Sequence, residues 1–292
     1  MEFIGEVKAI NTSDGYYNLA VINKEGKSMN LKIKPTKDVV IGTLYKFEYN
    51  VVEAERVSYW ITSYTNVLNL PFEERDAVLR EYYKSSPLSY EEAKKEIEGY
   101  LSQLDNSIVK EITKYLINKY HEEFYLFPAA SRMHHAYVGG LAYHSIGMLH
   151  FADGFIENYP YLDKNYIYAG IMLHDIGKAV ELTGIVNTEY SVKGQLLGHL
   201  VLGALEIEEA AIKLGYKDTN EAMLLEHMLI SHHGVPQFGS AKKPMTAEAL
   251  ALWYIDTIDS KFRVLGEVLD GTESGMFTDP IGVLDRSKIF KA

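Results

Sequence analysis

The stretch of the chain whose residues could most clearly do chemistry is 167–178, IYAGIMLHDIGK, in which His174 and Asp175 are adjacent. Its apolar residues and its lack of proline predict a helix over 167–178, with the pair at the end of its buried apolar segment. Burying an imidazole and a carboxylate without partners costs on the order of several kcal/mol, and a metal ion would offset that cost by using both groups. The alternative for an isolated pair is a hydrogen-bonded His-Asp contact at a helix end. The interpretation therefore depends on which other residues could join them.

Further imidazoles and carboxylates recur in apolar surroundings on both sides of this pair. The full set of candidate metal ligands is His144, His174, Asp175, His199, His232, His233 and Asp256. All seven lie on predicted helices or at helix ends, and Asp259, one turn after Asp256, is a competing carboxylate. Each residue alone has a structural explanation, but seven of them on five segments favour a metal centre.

The absence of cysteine restricts the chemistry of such a centre. Imidazole, carboxylate and water ligands suit Mn²⁺, Fe²⁺, Co²⁺ or Zn²⁺. Adjacent residues on a helix point about 100° apart, so Asp175 can bridge two ions while His174 binds one. Two divalent ions roughly 3.5–4 Å apart can activate a shared water and neutralise a phosphoester transition state. We therefore predict two divalent ions per chain, with Mn²⁺ as the first expectation, and phosphoester hydrolysis.

The first 66 residues must form a different kind of structure, because apolar and polar residues alternate in them. The alternation is clear in 17–21, 29–33 and 45–51, with turn residues between these runs. This pattern predicts five short antiparallel strands and a small barrel of the OB type. Its lysines and tyrosines could bind single-stranded nucleic acid, with rings stacking on bases; the alternative is that the tyrosines are core and the lysines are solvated edge charges. The tyrosines in question are Tyr16, Tyr17, Tyr45 and Tyr59.

The remainder of the chain has the pattern of helices. Ser89 and Glu92 form a predicted capping box, and the apolar residues of 90–104 and 106–121 recur at the helical period. We therefore predict an α+β protein of two domains. The predicted parts are an OB-like β-barrel over 1–66, a linker with a short helix over 67–88, and an all-α domain over 89–292.

Composition and charge narrow the class of protein. With 47% hydrophobic and 24% charged residues, the chain is an ordinary globular protein. It has no apolar run long enough for a membrane helix, no signal-peptide pattern and no cysteine, which together predict a cytoplasmic protein with no membrane partner. The net charge of −11 argues against binding of nucleic acid through the overall charge of the protein, but the first 70 residues have no net charge. Contact with a polyanion is expected through that neutral module or through metal ions.

The order of the candidate ligands resembles the HD superfamily of metal-dependent phosphohydrolases. The residues that match its H…HD…D motif are His144, His174, Asp175 and Asp256. Those that match the members with two metals are His199, His232 and His233. Over 127–262, the segments LHDIGK, LLGHLVLG, ISHHG and ALWYIDTIDSK more closely resemble the YhaM-type 3′→5′ exoribonucleases, which pair an N-terminal OB fold with an HD domain.

This resemblance implies hydrolysis of the terminal phosphodiester of single-stranded RNA to nucleoside monophosphates, with single-stranded DNA as an additional substrate. The implied ligands of the first metal are His144, His174, Asp175 and Asp256. The implied ligands of the second metal are Asp175, His199 and His232, with His233 as a further ligand or a substrate contact.

The resemblance also assigns roles in substrate binding. Lys178, one turn after His174, would contact a non-bridging phosphate oxygen and act with Asp175 in catalysis; its alternative is a solvated lysine at a helix end. Phe238 would stack on a base or anchor its loop. The residues implied to hold the 3′-terminal nucleotide are Arg132, His134 and His135.

Two other classes of function fit the same sequence. One is an HD phosphohydrolase acting on small nucleotides or cyclic dinucleotides, with the barrel serving regulation or assembly. Stepwise shortening of a labelled oligonucleotide would distinguish it from an exoribonuclease. The other is a non-catalytic RNA-binding protein with a relic metal site, which the complete ligand set argues against. The apolar helical face 196–207 would permit a homo-oligomer.

Overall fold

The computed structural model describes two compact units of the chain, Met1–Lys84 and Ser85–Ala292. The described residues are 1–13, 15–54, 56–129 and 137–292. The strands of the first unit are β1 (Glu2–Ser13), β2 (Tyr16–Ile22), β3 (Ser28–Ile33), β4 (Leu44–Val52) and β5 (Ser58–Asn66). Within the described ranges, no helix is both long and apolar enough to cross a membrane.

The five strands close into a barrel in the order β1-β2-β3-β5-β4. Successive side chains of a strand point to opposite faces, so the alternating pattern buries Leu19, Leu31 and Phe47 completely in the barrel interior. A short helix, α1 (Phe72–Tyr82), follows β5, and the Tyr82 hydroxyl donates to the Ile4 carbonyl at 2.7 Å. The predicted N-terminal OB-like barrel is thereby confirmed, and α1 belongs to the same compact unit.

The structure distinguishes among the four tyrosines for which the sequence left two roles open, core packing or nucleic-acid binding. Tyr45 is buried in the barrel core, and its hydroxyl donates to the Asp38 carbonyl at 3.0 Å. Tyr17 and Tyr59 pack against the same core. For these three the core alternative is correct. Tyr16 is not among the residues of this core cluster. Its ring lies 5.4 Å from that of Trp60.

Helices make up most of the second unit, as predicted. They are α2 (Tyr90–Ser102), α3 (Ser107–Lys119), α4 (His121–Leu126), α5 (Gly140–Asn158), α6 (Lys164–Leu173), α7 (Lys178–Glu181), α8 (Val192–Leu214), α9 (Asn220–Ser231) and α10 (Ala247–Asp270). The Ser89 side chain and Glu92 form the predicted capping box at the start of α2. Together with the barrel, these helices confirm the predicted α+β class.

The predicted helix over 167–178 is interrupted at the His-Asp pair, so that prediction was wrong in detail. α6 ends at Leu173 and α7 begins at Lys178. Between them, the Ile176 N–H donates to the Leu173 carbonyl and the Lys178 N–H to the Asp175 carbonyl, both at 2.9 Å. These three-residue turns are tighter than α-helical ones. They leave His174 and Asp175 buried at the bend.

A second interruption lies inside α8 and also precedes a histidine. Gly198 has φ 71° and ψ 158°, a backbone conformation that is essentially restricted to glycine. The helix therefore changes direction at this residue, and a new helical segment begins at His199. The two bends place His174, Asp175 and His199 at helix ends rather than on continuous helical faces.

Candidate metal centre

The structure brings the histidines and Asp256 of the candidate set into two clusters. The ligand atoms within each cluster all lie within 4.8 Å of one another. The first cluster comprises His144 on α5, His174 at the end of α6 and Asp256 on α10. The second comprises His199 on α8, and His232 and His233 at the end of α9. Five separate helices therefore converge at the two clusters.

Asp175 lies between the two clusters. Its Oδ2 is 3.2 Å from Nε2 of His174 in the first cluster. Its Oδ1 is 3.4 Å from Nε2 of His199 and 4.0 Å from Nε2 of His232 in the second. The two oxygens of one buried carboxylate thus face different clusters, which is the geometry a bridging ligand needs.

Two of the rings have a defined tautomer. Nδ1 of His174 donates to the Ile171 carbonyl at 2.8 Å, and Nδ1 of His232 donates to the Leu229 carbonyl at 2.7 Å. Because a carbonyl oxygen can only accept, each Nδ1 carries the proton. Burial and the neighbouring His233 lower the pKa of His232 well below its ordinary value. That ring is neutral, and its Nε2 presents a lone pair.

The residues present fit a metal ion. Nε2 atoms of three rings are buried and have no hydrogen-bond partner among the described residues; they belong to His174, His199 and His232. At His174 this nitrogen faces Asp175 Oδ2 with no hydrogen bond between the two atoms. Such a contact between acceptors is unfavourable unless a cation satisfies both. A donor set of nitrogen and oxygen without thiolate suits a divalent transition metal.

The carboxylates are held in the ionised form that such an ion requires. Burial by itself would raise the pKa of Asp175, but the neighbouring Lys178 ammonium holds that pKa well below its usual range. Burial is likewise outweighed at Asp256, where the hydrogen bond from His144 lowers the carboxyl pKa. Burial would also lower the pKa of His144, yet Asp256 and Asp259 raise it to about 9. The negative field that stabilises a proton on His144 favours a metal cation as well.

Comparison with known proteins identifies the family to which this chain belongs. The model of the HD domain family matches residues 141–261. The chain is 38% identical over 219 residues to the 3′-5′ exoribonuclease YhaM of Bacillus licheniformis, covering 75% of this chain and 69% of that protein. The YhaM proteins of Geobacillus sp. WCH70 and Bacillus subtilis are 38% and 36% identical over the same length, with 67% and 69% of each covered. The chain belongs to the YhaM family of 3′-5′ exoribonucleases.

In this YhaM family member, Asp259, which belongs to neither cluster, orients the His144 ring of the first cluster. Asp259 Oδ2 accepts a hydrogen bond from His144 Nδ1 at 2.8 Å, whereas Asp256 Oδ1 lies 3.2 Å from Nε2 of the same ring. Asp259 is itself paired with Arg263 at 3.3 Å. A Cβ at Gly147 would come within 2.8 Å of Asp259 Oδ1, so the glycine keeps this slot open. The two competing carboxylates therefore occupy opposite sides of one imidazole.

Glu181, which sequence analysis missed, has the equivalent position in the second cluster. Its Oε1 accepts from the His199 backbone N–H at 3.0 Å and from His199 Nδ1 at 3.2 Å. The carboxylate therefore caps the helical segment that starts after the bend at Gly198 and orients the ring at its first residue. The only signal in the sequence is an acidic residue three positions after Lys178, which is too common to single out.

Replacing Glu181 with alanine should weaken metal binding at the second cluster. His199 would lose both the hydrogen bond to its ring and the cap on its backbone, and loss of such an orienting partner typically costs about 10- to 100-fold in metal affinity or activity. Calorimetric titration with Mn²⁺ would measure the effect. Glu189, exposed on the following loop, provides the control as Glu189→Ala. Equal affinities for the two variants would contradict an orienting role for Glu181.

Lys178 makes contacts that the sequence did not predict. Its Nζ donates to Asp175 Oδ2 and to the Ala129 carbonyl, both at 2.6 Å, and only 16% of the side chain is exposed. The alternative of a solvated lysine is therefore wrong. The ammonium lies directly against the carboxylate that faces both clusters.

The structure describes the remaining predicted site residues less fully. Arg132, His134 and His135 lie outside the described residues, so their role in binding the terminal nucleotide stays a prediction. Phe238 lies in a short 3-10 helix, Pro236–Phe238, on the loop after α9. His233 is half-buried, with its ring 5.1 Å from that of His199. Its role as a metal ligand or a substrate contact stays open between the two predictions.

Proposed function

We propose that this protein is a metal-dependent 3′→5′ exoribonuclease that removes nucleoside monophosphates from the end of single-stranded RNA. The observation that carries the proposal is Asp175, whose two oxygens face two histidine clusters. The curated relatives to which the chain is similar are 3′-5′ exoribonucleases by name. We further propose that it works in the cytoplasm, whose reducing conditions its lack of cysteine fits.

The proposed centre holds two divalent cations, with Mn²⁺ as the first candidate. One would be held by His144, His174, Asp175 and Asp256. The other would be held by Asp175, His199 and His232, with His233 adjacent. When bound, such ions supply an activated water and stabilise negative charge on the phosphate.

The residues of the chain perform the positioning that this chemistry needs. Asp175 connects the two sites, while Asp259 and Glu181 orient the rings of His144 and His199. Two carboxylates and neutral imidazoles do not fully balance two dications, so the centre keeps a positive excess that attracts a phosphodiester. Because the side chain of Asp175 is only 5% exposed, these charges act in a poorly solvated setting where they are stronger.

We further propose that Lys178 contributes to turnover through its charge at the centre. Lys178→Met keeps most of the side-chain volume but removes the ammonium, and loss of one such group typically lowers kcat by about 100-fold. Metal content should remain at the wild-type value, since the predicted ligands are unchanged. Lys193→Met, at an exposed position on α8, is the control. Loss of metal from Lys178→Met would show instead that the lysine only holds Asp175 in place.

On the barrel, we propose that RNA stacks on the ring pair formed by Tyr16 and Trp60. Lys32 Nζ lies 4.8 Å from the centroid of the Tyr16 ring and 5.6 Å from that of Trp60. A cation between two partly exposed rings suits an unpaired base with its phosphate. Replacing both rings with alanine should lower affinity for a single-stranded RNA, at about 1–3 kcal/mol per stacked base. The measurement is filter binding with non-hydrolysing protein, and unchanged affinity would exclude this surface.

The decisive experiment for the proposed function is digestion of a 5′-labelled single-stranded RNA with and without added Mn²⁺. A ladder that shortens stepwise from the 3′ end, with mononucleotide product, is expected. Cleavage confined to mononucleotides or cyclic dinucleotides would instead support a small-nucleotide phosphohydrolase. Bound metal with no cleavage of any of these substrates would contradict the proposal. A parallel digestion of single-stranded DNA tests whether the sugar is discriminated.

A further inference from the structure

A second concave site lies in the helical unit, among α2, α3 and α4. The cavity has a volume of about 340 Å³, within the range of roughly 300–1,000 Å³ of small-molecule sites. None of the residues that line it belongs to the two metal-ligand clusters or orients them. It is therefore a separate feature that the proposed hydrolysis does not use.

The residues that line the cavity carry a net positive charge. Three lysines line it, Lys94, Lys110 and Lys114, with Glu98 as the carboxylate among the lining residues. In the part of the chain that the structure describes, none of these lysines has a carboxylate within 4.0 Å. In a chain of net charge −11, such a cluster runs against the overall charge. An anionic ligand would complement this charge.

Lys110 shows how one of these ammonium groups is kept in place. Its Nζ donates to the carbonyls of Ser102 at 3.3 Å and Leu104 at 3.1 Å, at the C-terminal end of α2. These bonds use its donors on backbone carbonyls without cancelling its charge by a carboxylate. The ammonium is thereby fixed beside the cavity, which lowers the entropic cost of binding an anion there.

The rest of the lining includes apolar and aromatic side chains beside a few polar ones. Ile97 and Ile117 are buried beneath it. The Tyr125 ring is packed edge-on against Tyr90 at 5.3 Å and lies 5.1 Å from the ring of His121. This packing makes the wall rigid, and a flat apolar group of a ligand could lie against it. The site thus combines lysine charge with an apolar surface.

We propose that this cavity binds a nucleoside phosphate, with the phosphate at the lysines and the base against the apolar wall. The chemistry requires both a flat apolar moiety and an anion within one small volume, which a mononucleotide provides and inorganic phosphate does not. A polynucleotide would extend well beyond a cavity of this volume. The ligand is held outside the metal centre, so its binding does not depend on hydrolysis.

The test is equilibrium dialysis of radiolabelled AMP against the metal-loaded full chain. Replacing both Lys94 and Lys114 with glutamine should weaken binding by about tenfold or more, since two charge-assisted contacts are lost. The matched control is Lys95→Gln, at the exposed neighbouring position on α2, which should bind like wild type. A variant with Asp175→Asn should keep the binding, because the cavity is separate from the metal centre.

Several results would overturn this assignment. AMP binding that is absent at millimolar concentration, or equal in all the variants, would exclude a nucleotide site. Competition by inorganic phosphate as effective as that by unlabelled AMP would remove the role of the apolar wall. Loss of AMP binding in Asp175→Asn alone would place the bound nucleotide at the metal centre. A short RNA that binds through the lysines while AMP does not would identify an RNA surface instead.

Discussion

Replacing Asp175 with asparagine should abolish RNA hydrolysis, lowering turnover by about 1,000-fold or more, and should reduce the bound metal. Asparagine keeps the shape of the side chain but loses the charge, and its nitrogen cannot serve as a second metal ligand. Because the two oxygens of Asp175 face His174 on one side and His199 on the other, both clusters are affected by one substitution. The measurements are metal content per chain and digestion of labelled RNA.

The interpretation of this variant needs a check on folding. Lys178 would lose its partner at 2.6 Å, and breaking a buried ion pair from one side costs about 3–5 kcal/mol. The double variant with Asp175→Asn and Lys178→Met removes both charges together and should regain stability without regaining activity. Asp218→Asn, at an exposed position, controls for the substitution itself. Full metal content and normal turnover in the asparagine variant would show that Asp175 does not bridge the clusters.

Replacing Gly177 with alanine should have the second largest effect, although no ligand is changed. A Cβ at this position would overlap the carbonyl oxygen of His199 and lie 2.7 Å from the Gly203 nitrogen. Those are backbone atoms of α8, so no side-chain rotation can relieve the overlap. The backbone at Gly177, with φ −60° and ψ −20°, is one that alanine adopts readily. The expected effect is therefore steric displacement of α8 and of the His199 ring.

The expected results for Gly177→Ala are a lower free energy of unfolding, by about 1–3 kcal/mol or more, and weaker metal binding at the second cluster. Thermal unfolding and Mn²⁺ titration measure the two effects. Gly154→Ala on α5 is the matched control, since a Cβ there meets nothing within 4 Å. In a helix that change should be neutral or stabilise by up to about 1 kcal/mol. If the two variants behaved alike, the close packing of the His-Asp turn on α8 would have no functional consequence.

Local pattern in the sequence determined the class of each domain. Period-two alternation reports directly which side chains of a strand face inward, so the barrel follows from residues such as Leu19, Leu31 and Phe47. The lack of cysteine and the recurrence of histidine in apolar segments likewise limited the metal ligands to nitrogen and oxygen. The ordered motif segments carried the resemblance to the YhaM-type family. These features are local or compositional and need no knowledge of packing.

Tertiary structure alone decided how those residues are used. Asp256 and Asp259 lie one turn apart on α10, and in the sequence only the match to the H…HD…D motif favoured Asp256. The position of the His144 ring gives the two carboxylates different contacts, because one faces Nε2 and the other binds Nδ1. Glu181 acquires its role when the bend at Gly198 brings the His199 backbone to its carboxylate. Such choices depend on the approach of distant segments, and a one-dimensional pattern holds no information about which face of a ring a neighbouring helix will meet.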